Sequence, residues 1–217
     1  MDNVFRIVND YGTTFLDDTY KNLTLISKGT LQINSGTTGF ITFNGTNPVL
    51  AVRCQEGVTI AVVSTYFANN VWNAELRLSA QGAGTTVSYY VFDLIPPANT
   101  PFVQGHRLWN AAGELIFDSE LPYLRVIDIL QNSDRSQQSI NFQAMEAVVF
   151  LTPTIDQLGG SGGYTHRTDG FVLTNGHFYP QSIDLGYTDT SDNGTNPTNE
   201  PTYDYNSIML VIDVTNL

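Results

Sequence analysis

The stretch Arg6-Ile7-Val8-Asn9-Asp10-Tyr11-Gly12-Thr13-Thr14-Phe15-Leu16-Asp17-Asp18 reads as a short strand, a turn, and a second strand that closes on aspartate. The turn is Asn-x-x-Gly, which supplies a side chain able to bond its own backbone and a residue that accepts positive φ. The same pattern returns without gaps in Arg107-Leu108-Trp109-Asn110-Ala111-Ala112-Gly113-Glu114-Leu115-Ile116-Phe117-Asp118-Ser119. Arg, Asn, Gly and Asp coincide, the apolar pair Phe15-Leu16 recurs as Ile116-Phe117, and Leu23 recurs at the same spacing as Leu124. Each half also ends in an apolar strand carrying one aspartate, Tyr90-Val91-Phe92-Asp93-Leu94 and Leu210-Val211-Ile212-Asp213-Val214. The chain therefore reads as a structural duplication.

Outward from these two stretches, nearly everything reads as strand. Trp72, Ala74, Leu76 and Leu78 alternate with Asn73, Glu75 and Arg77, the period of a half-buried strand. Thr38 to Phe43 runs into Asn44-Gly45, a tight-turn dipeptide. Val49 to Val52 and Val58 to Val63 read as buried strands around the polar turn Gln55-Glu56-Gly57, and Val87 to Leu94 as a further strand. Phe142 to Phe150 has room for a turn or two of helix, but its β-branched end favours a strand. Turn residues recur at the spacing of a sandwich or barrel. The boundary falls at Ile95-Pro96-Pro97-Ala98-Asn99-Thr100-Pro101, since proline is excluded from central strands and stiffens a connector. The expected architecture is all-β: two tandem antiparallel β-sandwiches, residues 1–97 and 98–217. The second is expected to carry long loops at 156–169 and 184–206. The first of these holds the glycine-rich Leu158 to Tyr164, read as a flexible linker.

Composition excludes several classes of function. In 217 residues, 9 Lys and Arg face 21 Asp and Glu, a net charge of −12. Such a chain lacks the basic footprint that nucleic acid or an anionic membrane surface requires. One cysteine, Cys54, excludes an internal disulfide and any multi-cysteine metal site, and its apolar setting suggests a buried, inert thiol. No apolar run reaches membrane-spanning length. The N-terminus has no secretory pattern, so synthesis and retention in a cytoplasm are expected.

The segment Gly105 to Ser119, followed by Pro122-Tyr123-Leu124-Arg125-Val126, resembles a family of small tailed-bacteriophage proteins that open on G-x-x-V-x-N-x-x-G-x-x-x-F-D-S and continue into Y-L-R-V. Residues from Phe5 to Thr30 resemble the start of the same proteins. The family is associated with virion or tail-tip genes. The resemblance implies a particle component and carries over no catalytic residues.

The chemical candidates are few. Asp189, Ser191, Asn193 and Glu200 fall near the spacing of a calcium loop around Gly194. Asn196 and Pro197 break that motif and no helix flanks it, so a solvated acidic loop is the plainer reading. His166 and His177, with Asp169 between them, are of a type to hold zinc or iron, but edge-strand histidines are the plainer reading. Gly160-Ser161-Gly162 lacks a nucleophile elbow, and no Lys-Ser/Thr follows it to make a phosphate loop. The acids around Asp17 and Asp118 invite a glycosidase reading. A more economical role is turn chemistry, with the carboxylate accepting backbone N–H bonds.

The remaining signal is tyrosine among short polar residues, a composition suited to contact surfaces. Tyr187, Asp189, Asn193, Tyr203 and Tyr205 are the expected contact residues. The expected function is a non-enzymatic, cofactor-free structural component of a tailed-phage particle, at the tail tip, baseplate or fibre attachment. It would contact other phage structural proteins, form a homo-oligomer and reach a host surface receptor. The alternatives are a host-surface or carbohydrate-binding module, a capsid decoration protein, and a hydrolase of cell-envelope sugar.

Overall fold

The structure is a computed structural model. It describes residues 6–8, 14–17, 22–34, 36–79, 84–94, 104–131, 145–151, 155–160, 163–189 and 207–217, with the backbone alone for 6–8, 14–17, 155–160, 163–164 and 187–189. The proline-rich connector lies outside these residues. All described elements are strands, and all their pairings are antiparallel.

The opening repeat forms two small hairpins. In the first, β1 (Arg6–Val8) pairs with β2 (Thr14–Asp17). Then follow β3 (Leu23–Ile33), β4 (Thr38–Phe43), β5 (Val49–Arg53), β6 (Thr59–Ala68), β7 (Val71–Leu78) and β8 (Thr85–Leu94). The second half opens on the hairpin β9 (Arg107–Trp109) and β10 (Leu115–Asp118). It continues through β11 (Val126–Gln131), β12 (Glu146–Phe150), β13 (Ile155–Gly160), β14 (Gly163–Thr174), β15 (His177–Asp189) and β16 (Ile208–Asp213).

Larger strands assemble into two sheets. The first has the order β11-β16-β12-β5-β8-β3, and the second β13-β14-β6-β7-β4 with β15 also paired to β14. The sheets face each other across one core, in which Val52, Leu76 and Val91 meet Val148, Phe171 and Val211. Thus the two halves do not part into tandem sandwiches at 97/98. They share both sheets: Val148 and Val149 of β12 pair with Val52 and Ala51 of β5, and Phe171 and Val172 of β14 pair with Ile60 and Thr59 of β6. The physical reason is edge satisfaction. Either half alone would leave β5 and β6 as open, apolar edges, and each half closes the other's. At Gly170 the approach is so close that a Cβ would lie 2.6 Å from the Ile60 carbonyl oxygen.

The two hairpins match each other in pairing, and the first sheet is pseudo-twofold. Arg6 pairs with Asp17, Ile7 with Leu16 and Val8 with Thr14; Arg107 pairs with Asp118, Leu108 with Phe117 and Trp109 with Leu115, each hairpin shifting register at the same place. Leu25 and Ser27 of β3 oppose Phe92 and Val91 of β8, with Ile26 bulged out. Val126 and Asp128 of β11 oppose Ile212 and Val211 of β16, with Ile127 bulged out. Ala51 opposes Tyr90 as Val149 opposes Leu210, and Ala51 and Val149 oppose each other at the centre. The pseudo-dyad therefore runs between those two residues, and β3, β8 and β5 correspond to β11, β16 and β12. The start of β3 meets the segment before β11: the Leu124 N–H donates to Leu23 O (2.9 Å), and the Leu25 N–H to Pro122 O (2.8 Å). The sheet so curls around a second apolar cluster that includes Phe92, Ala147, Val149, Ile212, Leu23 and Leu124. Burial on both faces explains why Val49-Leu50-Ala51-Val52 and Met209-Leu210-Val211-Ile212 are apolar without alternation.

Several local expectations meet a different context. Asn44-Gly45 and Gln55-Glu56-Gly57 do not close hairpins; each carries the chain from one sheet to the other. Asp93 holds the first crossing. Its carboxylate accepts N–H bonds from Thr46 (2.5 Å), Asn47 (3.3 Å) and Leu94 (2.7 Å), and a Cβ at Gly45 would lie 2.7 Å from it. Residues 155–160 and 163–168 form the hairpin β13–β14 rather than the loop expected at 156–169, because glycine in an antiparallel pair still contributes its full backbone ladder. Likewise 184–189 extend β15 rather than open a loop at 184. Among the described residues, two-residue turns with positive φ at both positions lie at Asn69-Asn70 and Asn175-Gly176.

Candidate functional site

Tyr187 and Asp189 sit in β15, opposite Thr165 and Gly163. Their position is a strand rather than the loop expected of them. Ser191, Asn193, Glu200, Tyr203 and Tyr205 lie outside the described residues. His166 faces Gly186, whereas His177 faces Thr174 at the turn. Eight residues of strand, about 27 Å, separate the two histidine positions along the hairpin, too far to share an ion. Asp169 is buried and accepts a bond from Ser207 Oγ (2.8 Å). No cluster of three metal-ligating side chains occurs among the described residues, and no helix is long and apolar enough to cross a membrane.

The acids of the second hairpin do structural work. Asn110 Oδ1 accepts the N–H groups of Ala112 (3.0 Å) and Glu114 (2.9 Å), and Gly113 takes φ +78°. Asp118 is 2% exposed; one oxygen takes the Arg107 Nε–H (2.6 Å) and the other the Glu120 N–H (2.9 Å). Tyr123 stacks on Phe117 at 5.4 Å, and its hydroxyl accepts the Asp118 N–H while donating to the Asp118 carbonyl. Burial raises the Tyr123 pKa, with the bond to the Asp118 backbone opposing that rise. Asp118 thus does the turn chemistry expected of it and also anchors a buried ion pair. Cys54 donates to Val58 O, and burial pushes its thiol up to about 12, which leaves it protonated and unreactive at neutral pH.

What the structure leaves outward is apolar side chains on strands. On β11, an edge strand of the first sheet, Val126 is exposed and Ile129 is 56% exposed. On β4, an edge strand of the second sheet, Phe40 is 60% exposed. Two strands away on β6, Tyr66 and Phe67 are exposed as well, and Phe67 lies 5.5 Å from Trp72. Trp72 is itself fixed by donating its ring N–H to Gly45 O.

Sequence reasoning missed these positions because it looked for aromatics in loops. A signal existed for Phe40. In Thr38-Gly39-Phe40-Ile41-Thr42-Phe43, Ile41 and Phe43 are buried and Phe40 shares the phase of Thr42, the exposed one. Ile129 carried no such signal, since only the pairing with β16 tells which flank of β11 is open. No family model, curated protein or solved structure matches the chain.

Proposed function

We propose that this chain is a non-enzymatic structural component of a tailed-phage particle, at the tail tip, baseplate or fibre attachment, and that it acts through protein–protein contacts. The observation that carries this reading is the β11 edge. Natural sheets guard their edges with charge, proline or cover, because an open apolar edge templates pairing with another chain. Among the described residues, β11 ends the first sheet and presents Val126 and Ile129 outward, with Asp128, which accepts the Ile129 N–H (2.8 Å), as its one charge. Strand addition from a neighbouring subunit is the contact such an edge makes best. Two further supports are the phage-like opening at Gly105 to Ser119 and the charge of −12, which keeps a free subunit soluble before assembly.

Quantitative gel analysis of purified particles tests the reading. A tail component is expected at a few to tens of copies per particle. Hundreds of copies would favour capsid decoration, and absence from particles would end the proposal.

A further inference from the structure

The outer face of β6–β7–β4 carries an arrangement that the protein–protein reading does not use. Strand register places Tyr66, Asn73 and Thr42 in one row across the three strands, and Ser64, Glu75 and Phe40 in the next. Arg77 stands one row further along β7, between Thr38 and Ala61. Side chains in such rows project from the same face. The two exposed rings, Tyr66 at 48% and Phe40 at 60%, thus lie on the outer two strands, diagonally across the polar middle strand.

Strand spacing and rise put their Cα atoms about 12 Å apart, roughly the span of two or three sugar rings. Between and just beyond them along β7 the polar groups are already ordered. Glu75 Oε1 accepts from Arg77 Nε (3.0 Å) and lies 2.9 Å from Arg77 Nη2, and Asn73 is linked to Thr42 at 3.3 Å. That middle strip offers donors and acceptors together and carries no net charge from its Glu75–Arg77 pair.

We infer that this face is a binding site for a neutral oligosaccharide chain. The aromatic rings offer flat apolar surfaces to the C–H faces of pyranose rings, with little ordering entropy to lose. The Asn73 amide, the Glu75 carboxylate and the Arg77 guanidinium bond the hydroxyls between them. Charge selects the class. A chain of net charge −12 repels sulfated or uronic glycans, while the internally neutralised strip accepts an uncharged one. The site is separate from the β11 edge, so the two proposals stand or fall independently.

The test uses the full chain with maltohexaose, cellohexaose and chitohexaose, and a heparin hexasaccharide as the anionic control. Saturation-transfer NMR and titration read binding, for the wild type and for Phe40→Ala and Tyr66→Ala. At least one neutral hexasaccharide is expected to bind and heparin is not. Each substitution is expected to weaken binding about tenfold, at an unchanged thermal transition. Absence of binding to all three neutral chains would overturn the site, as would affinity that survives both substitutions. Variants that lower incorporation into particles without any glycan signal would mark the face as a protein contact and also overturn it.

Discussion

β3 and β11 occupy equivalent places in the first sheet, at its opposite edges, and they treat those edges differently. Each carries a bulged isoleucine, Ile26 or Ile127, and each pairs onward in the same register. Past the bulge β3 reads Ser27-Lys28-Gly29-Thr30, whereas β11 reads Asp128-Ile129-Leu130-Gln131. Lys28 is exposed and opposes Tyr90; Ile129, exposed too, opposes Leu210. Lysine on an edge strand deters pairing with another chain, and isoleucine invites it. The two strands share their backbone pairing and differ in their side chains. At the equivalent position one copy presents lysine and the other isoleucine.

The largest expected effect concerns how firmly the two copies are joined. Phe171 is fully buried, packs edge-on to Phe178 at 4.8 Å and touches Phe150, in a core drawn from both halves. Phe171→Ala is expected to cost about 3–5 kcal/mol. With Trp72 reporting on one half and Trp109 on the other, single-tryptophan variants should show both denaturant transitions moving together. Separated transitions would mean that the copies fold as independent units.

A somewhat smaller effect is expected in the hairpins. Asp118→Asn removes the carboxylate charge of a buried ion pair with Arg107, which is expected to cost about 3 kcal/mol by chemical denaturation. The same change at Asp17, at the equivalent register position, is expected to act in the same direction. A stabilising effect there would restrict the likeness to the backbone.

Smallest in stability, though not in consequence, is an exchange of edges. Ile129→Lys puts the guard of β3 on β11 and is expected to stay within about 0.5 kcal/mol of wild-type stability. It should reduce incorporation into particles, and Lys28→Ile should increase self-association in analytical ultracentrifugation. If Ile129→Lys particles retain the wild-type copy number, the β11 edge is not the assembly contact.

Much of the local structure was legible. Alternation in Trp72 to Leu78 gave the right faces, with Ala74, Leu76 and Leu78 buried. The Asn-x-x-Gly-x-x-x-x-Asp pattern gave a hairpin, a positive φ at Gly113 and the carboxylate bonds of Asp118. Glycine misled in Leu158 to Tyr164. Its conformational freedom reads as a loop, yet strand pairing is a backbone matter and Gly159 and Gly160 pair with Tyr164 and Gly163. The turn dipeptide Asn44-Gly45 misled in the other direction, because the bonds that fix it come from Asp93, far along the chain. Loop tyrosines drew attention as contact residues, whereas the exposed rings on described residues stand on strands.

By itself the sequence determined that the chain is all-β, that its opening motif recurs, and that its net charge is −12. These follow from period, spacing and composition, which are local or summed properties. Only the tertiary structure decided that the two copies join through β5–β12 and β6–β14 into common sheets, and that β11 and β4 are left at edges. Strand partnership is settled by burial across residues far apart in the chain, where one apolar run can satisfy several partners. Which side chains are then left facing water follows from that choice.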